Sequence, residues 1–109
     1  MCRALKVLCV ADDEASLAAL RRAAVSAEWE LSPGATDETD ALALIDAERP
    51  HVLVVFGDHA QLVALVRDRF PGMRIVTDRD LPGATAVATS LEEVRGLVKT
   101  LPRPGGPVR

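Results

Sequence analysis

The stretch His51-Val52-Leu53-Val54-Val55-Phe56 decides the fold. It is short, rich in valine, apolar almost throughout, and halted by Gly57. Such a run fits a strand buried on both faces, the habit of parallel sheets, and predicts a central strand over 51–56. Upstream, Lys6–Ala11 (KVLCVA) is a second run of the same kind, ending abruptly at Asp12-Asp13-Glu14. Between the two, Ala15–Ala27 carries Leu17, Leu20 and Ala24 on one stripe and predicts a helix. Trp29-Glu30-Leu31 predicts a short strand, with Pro33 placing it at a sheet edge. Asp40–Glu48 predicts a second helix, with Leu42, Leu44 and Ile45 inward and Pro50 closing it.

Downstream of Gly57, Asp58 or His59 opens a third helix, with Leu62, Val63, Leu65, Val66 and Phe70 inward and Pro71-Gly72 at its end. Met73–Thr77 predicts a fourth strand and Ala84–Thr89 a weaker fifth. Ser90-Leu91-Glu92-Glu93 has the spacing of a capping box, in which the glutamate reaches back to the capping residue. The helix it starts carries Val94, Leu97, Val98 and Leu101. Residues 1–101 thus form one domain, and Pro102–Arg109 reads as a flexible tail or linker stub. Strands alternating with helices imply right-handed βαβ units around a parallel sheet. Sites in such sheets form at the carboxyl ends of the strands. Those ends hold Asp12 and Asp13, Phe56 to Asp58, Thr77 and Asp78, and Thr89 and Ser90.

With 109 residues, 49% hydrophobic and 27% charged, the chain can bury an ordinary core. No apolar run approaches the roughly 20 residues of a membrane span, and the start does not read as a secretory signal. A cytoplasmic location is the expectation. The net charge of −3 argues against unaided nucleic-acid binding. The aromatic residues, Trp29, Phe56 and Phe70, are too scattered to stack bases. The cysteines, Cys2 and Cys9, form no metal-binding spacing, and Cys9 reads as a reduced core residue. His51 reads as exposed, His59 as a first-turn helix residue, and Trp29 as edge packing.

Val10–Glu14, Ala35–Leu42, Glu48–Val55 and Phe70-Pro71-Gly72, in that order, resemble segments of the receiver domains of response regulators. Val10-Ala11-Asp12-Asp13-Glu14 looks like the acidic end of that family's first strand. Ala35-Thr36-Asp37-Glu38-Thr39-Asp40-Ala41-Leu42 is similar to its turn into helix two. Glu48-Arg49-Pro50-His51 followed by Val52–Val55 resembles its approach to strand three, and Phe70-Pro71-Gly72 its end of helix three. The resemblance covers residues 5–101. It implies a doubly wound, flavodoxin-like α/β fold with five parallel strands in the order 2-1-3-4-5.

The departures bear on function. The family's phosphate-accepting aspartate falls at Phe56, whose ring has no nucleophilic oxygen. Its lysine at the end of strand five falls at Thr89, while Thr77 stands for its hydroxyl after strand four. In the family, residues matching Asp12 and Asp13 help to hold Mg²⁺. With Phe56 in the third place, the expectation is that no metal is bound and that both acids cap the first helix. Asp58, two residues past Phe56, is a weaker alternative phosphoacceptor, which would make the chain an active Mg²⁺-dependent receiver.

Only Asp78–Gly83 separates strands four and five, too few residues for the usual crossover helix, so the fourth helix is expected to be missing or irregular. Its loss would expose Ile75, Leu81 and Val87, a candidate interface for a homodimer or protein partner. The resemblance and its departures together imply a non-enzymatic pseudo-receiver that regulates through protein–protein contact. Two alternatives stay open: the Asp58 receiver, and a small-molecule sensor with its ligand near Asp12, Phe56 and Thr77.

Overall fold

The computed structural model describes residues 5–27, 29–57, 59–70, 72–79 and 84–100. Its elements are β1 (Leu5–Val10), α1 (Glu14–Ala24), β2 (Trp29–Leu31), α2 (Glu38–Glu48), β3 (Val52–Val55), α3 (Ala60–Arg69), β4 (Arg74–Thr77), β5 (Ala86–Val87) and α4 (Leu91–Thr100). The strands form one sheet in the order β2-β1-β3-β4-β5, every neighbouring pair parallel. This is the doubly wound α/β order that the sequence implied.

The apolar runs at β1 and β3 lie side by side, Val7 against Val52 through Val10 against Val55. Because strand side chains alternate between faces, each run feeds two cores. Val7, Cys9, Val52, Val54 and Val76 pack with Leu20 of α1 and Val94 of α4. Leu8, Val10, Leu53, Val55 and Ile75 pack with Ile45 of α2 and Val63 of α3. Double coverage explains why these strands are apolar without alternation.

Trp29 is buried, and its indole Nε1 donates to the Ala24 carbonyl at 2.7 Å. It thereby satisfies a carbonyl at the end of α1 that lacks a helical partner. His51 is half-buried rather than exposed. Its Nδ1 accepts from the Lys6 N–H at 3.0 Å, while its own N–H donates to the Lys6 carbonyl at 2.8 Å. The side chain is drawn in because it completes the start of the β1–β3 ladder. Helix α2 begins earlier than expected, since the Asp37 carboxylate accepts from the Asp40 N–H and caps it. The reciprocal bond of the expected capping box also shifts: Glu93 accepts from the N–H and hydroxyl of Thr89, not from the N–H of Ser90.

Among the described residues, no helix lies between β4 and β5. Thr85 helps to hold the two strands together there, its N–H donating to the Ile75 carbonyl and its hydroxyl accepting from the Ile75 N–H. Ile75 is 1% exposed, which corrects its place in the expected apolar patch. It belongs to the same core as Leu62, Val63 and Val66 of α3. Val87 is half-buried, while Leu81, Asp58 and the tail at 102–109 lie outside the described residues.

Candidate functional site

The carboxyl ends of β1, β3 and β4 converge on a cleft of about 260 Å³. Asp12 and Phe56 line it, together with Gly57, Asp78, Ser16 and Leu91. Phe56 directly follows β3, and its N–H donates to the Val10 carbonyl at 2.9 Å, fixing the end of the sheet. Its ring is half-buried against the core on the α1 side. Gly57 then turns the chain with φ at +113°, a conformation that favours glycine.

This turn brings two acids to one backbone unit. The Gly57 N–H donates to Asp78 Oδ2 at 3.1 Å. Asp78 also holds the Arg79 guanidinium, at 3.1 Å from Nε to Oδ1. On the other side, Asp12 Oδ1 lies 3.0 Å from the Nε2 nitrogen of His59. That contact is close but is not aligned as a hydrogen bond. His59 is 11% exposed in its side chain, whereas Asp12 is 63% exposed. His59 occupies the N-cap of α3, and its side chain makes no capping bond.

The remaining expected site residues stand apart. Asp13 caps α1, its exposed carboxylate accepting from the Ser16 N–H at 2.7 Å. That bond holds its carboxyl below the usual carboxylate range. Thr77 is fully buried at the end of β4, and its hydroxyl donates to the Arg79 carbonyl. Thr89 is tied to Glu93 at the start of α4. The structure therefore joins Asp12 and Phe56 in the cleft but adds Gly57, His59, Asp78 and Arg79 around them. Asp78 was legible as a strand-end residue. The nearness of His59 to Asp12 had no signal in spacing, because it depends on the turn at Gly57.

Mg²⁺ prefers near-octahedral oxygen ligands. Of the expected set, Asp13 caps α1 and the third place offers a phenyl ring, which leaves Asp12 as its one carboxylate in the cleft. The described donor set does not fit that ion. Among the described residues, no group of three His, Cys, Asp or Glu side chains is placed to hold a metal. Cys9 is buried in the β1 core, and burial pushes its thiol up to about 12, although Arg21 opposes the shift. It is therefore no nucleophile at neutral pH.

No protein-family profile and no curated protein sequence matches the chain. Solved structures do match. It is similar to the chemotaxis response regulator CheY4 of Vibrio cholerae at 21% identity, covering 91% of this chain and 100% of that one, with a TM-score of 0.72. It is similar to a CheY-like response-regulator receiver domain protein of Methanospirillum hungatei JF-1 at 20% identity, 89% and 92% coverage, and a TM-score of 0.71. The signal receiver domain of the putative response regulator NarL of Mycobacterium tuberculosis shares 23% identity over 88% and 94% of the two chains, with a TM-score of 0.70. Strand order, crossover pattern and these likenesses together show that the chain has the fold of response-regulator receiver domains.

Proposed function

We propose that this chain is a receiver-like domain without phosphoryl chemistry, which acts as a non-enzymatic regulatory module by binding another protein in bacterial signalling. The observation that carries this reading is Phe56. It follows β3 at the position where receivers carry their phosphate acceptor, and its ring packs on the core beside the Asp12 carboxylate. A phenyl ring forms no acyl phosphate. The surroundings support the same reading. Arg79, the cation lining the cleft, is paired with Asp78, and Thr89 is tied to Glu93 instead of standing in for a lysine. With such a donor set the module needs no magnesium.

The module acts in the cytoplasm and without direct contact with nucleic acid or membrane, in line with its net charge of −3. No helix among the described residues is long and apolar enough to cross a membrane. The test is incubation of the full chain with acetyl phosphate and Mg²⁺, followed by intact-mass measurement. No phosphoryl adduct is expected. A stoichiometric adduct mapped to Asp58 overturns the proposal in favour of an active receiver.

A further inference from the structure

Leu91, the first residue of α4, is 36% exposed, one of two large apolar residues of the described chain left so open. It stands between two hollows along the line where α1 packs on α4. One is the 260 Å³ cleft walled by Ser16, Ala19 and Phe56 with Asp12 at its rim. The other, of about 310 Å³, lies between Ala23, Glu92 and Arg95. Ser16, Ala19 and Ala23 recur at three- and four-residue spacing, so one face of α1 walls both hollows. All three side chains are small, and the space beside Leu91 is open for that reason.

Small-molecule sites typically hold roughly 300–1,000 Å³; the cleft falls below that range and the second hollow barely enters it. Leu91 lines both, so the two hollows lie side by side along the seam, an arrangement suited to successive side chains of a peptide. The charge at its cleft end is negative. Asp12 is 63% exposed there, and Asp78 is engaged by Arg79. In the far hollow Glu92 is accompanied by Arg95, so among the described residues lining the two hollows the one exposed acid free of a cationic neighbour is Asp12 at the cleft end. A lysine or arginine would lay its aliphatic stem on Phe56 and Ala19 and its charged head on Asp12.

We propose that the α1–α4 seam is the docking groove for a segment of a partner protein, one that sets a Lys or Arg against Asp12 and apolar side chains on both sides of Leu91. This rests on the reading of the domain as a protein-binding module. The probe is an amidated, acetylated Leu-Leu-Arg-Leu-Leu peptide titrated into the ¹⁵N-labelled full chain. Saturable shifts are expected at the amides of Ser16, Ala19, Gly57 and Leu91.

Replacing the peptide's Arg by Gln should weaken binding roughly fivefold, the upper range of an exposed ion pair, and Glu should abolish saturation. Leu91→Ser, a surface change whose spectrum reports the fold, should also remove saturation. Equal binding of the Arg, Gln and Glu peptides, unsaturable shifts, or unchanged binding by Leu91→Ser overturns the proposal. So does concentration-dependent movement of the same amides without peptide, which would assign the groove to a second copy of the chain. Ethylguanidine binding as tightly as the peptide would also overturn it, in favour of a small-molecule site. The phosphorylation assay is independent: an adduct on Asp58 alongside Arg-specific binding would sink the parent reading and leave the groove standing.

Discussion

The Cα of Gly57 lies so close to the carboxylate of Asp12 that a β-carbon there would collide with both carboxylate oxygens. Asp12 follows β1 and Gly57 follows β3, so the two strand ends meet at the mouth of the cleft. Gly57 also carries φ of +113°. Gly57→Ala should therefore destabilise the domain by about 1–3 kcal/mol, the cost of a side chain in that region of backbone space plus the collision. Removing the Asp12 carboxylate should relieve part of this. Asp12→Ala combined with Gly57→Ala should be more stable in urea than the sum of the two single changes predicts.

Phe56→Asp tests the pocket from the opposite side. Removing a fully buried Phe side chain costs about 3–5 kcal/mol, and Phe56 is half-buried, so about 1–2 kcal/mol is expected. The new carboxylate would share the cleft with Asp12 and Asp78, which adds like-charge repulsion. The variant should unfold at lower urea concentration and should gain no phosphoryl mass at the rate of an ordinary receiver. Rapid phosphorylation would show that the remaining groups are competent after all.

Asp13 serves α1 through one hydrogen bond to the Ser16 N–H. Asp13→Ala should lower the thermal midpoint, and Asp13→Asn should recover most of it, because asparagine also caps. The pH dependence follows from the depressed folded pKa of Asp13. Its contribution is complete above the unfolded value of 3.8 and is lost as pH falls through the lower folded value. The gap in stability between the native chain and Asp13→Ala should therefore shrink in acid. A gap that stays constant below pH 3.8 would contradict the cap.

Cys9 works in the reverse sense. Its thiol rises from 9.0 to about 12 on burial, so the folded state holds the proton more tightly than the unfolded state. Stability should fall with rising pH between those values, by up to about 1.4 kcal/mol per pH unit. The native-minus-Cys9→Ala difference isolates this slope from other groups. At neutral pH, the native thiol should also resist a thiol reagent until urea unfolds the chain.

The layered architecture is legible in the order of the residues. The continuous apolar runs ending in Val10 and Val55 can only be buried on both faces, and the helix-period stripes around Leu20, Ile45 and Val63 supply the covers. That order also places Asp12 and Phe56 at strand ends, since the carboxyl end of a parallel strand is where its apolar run stops. What those residues touch depends on how the elements pack. His59 reaches Asp12 only because Gly57 adopts a positive φ, and Asp78 joins them only because β4 pairs with β3 in the register that sets Thr77 beside Val55. Ile75 is expected at the surface from a missing helix, yet it is buried in the core it shares with α2 and α3, because burial is set by three-dimensional packing that linear spacing does not encode. Leu91 looked like an ordinary residue of a capping box. Its exposure between two hollows arises from the small side chains of α1 that face it across the packed seam.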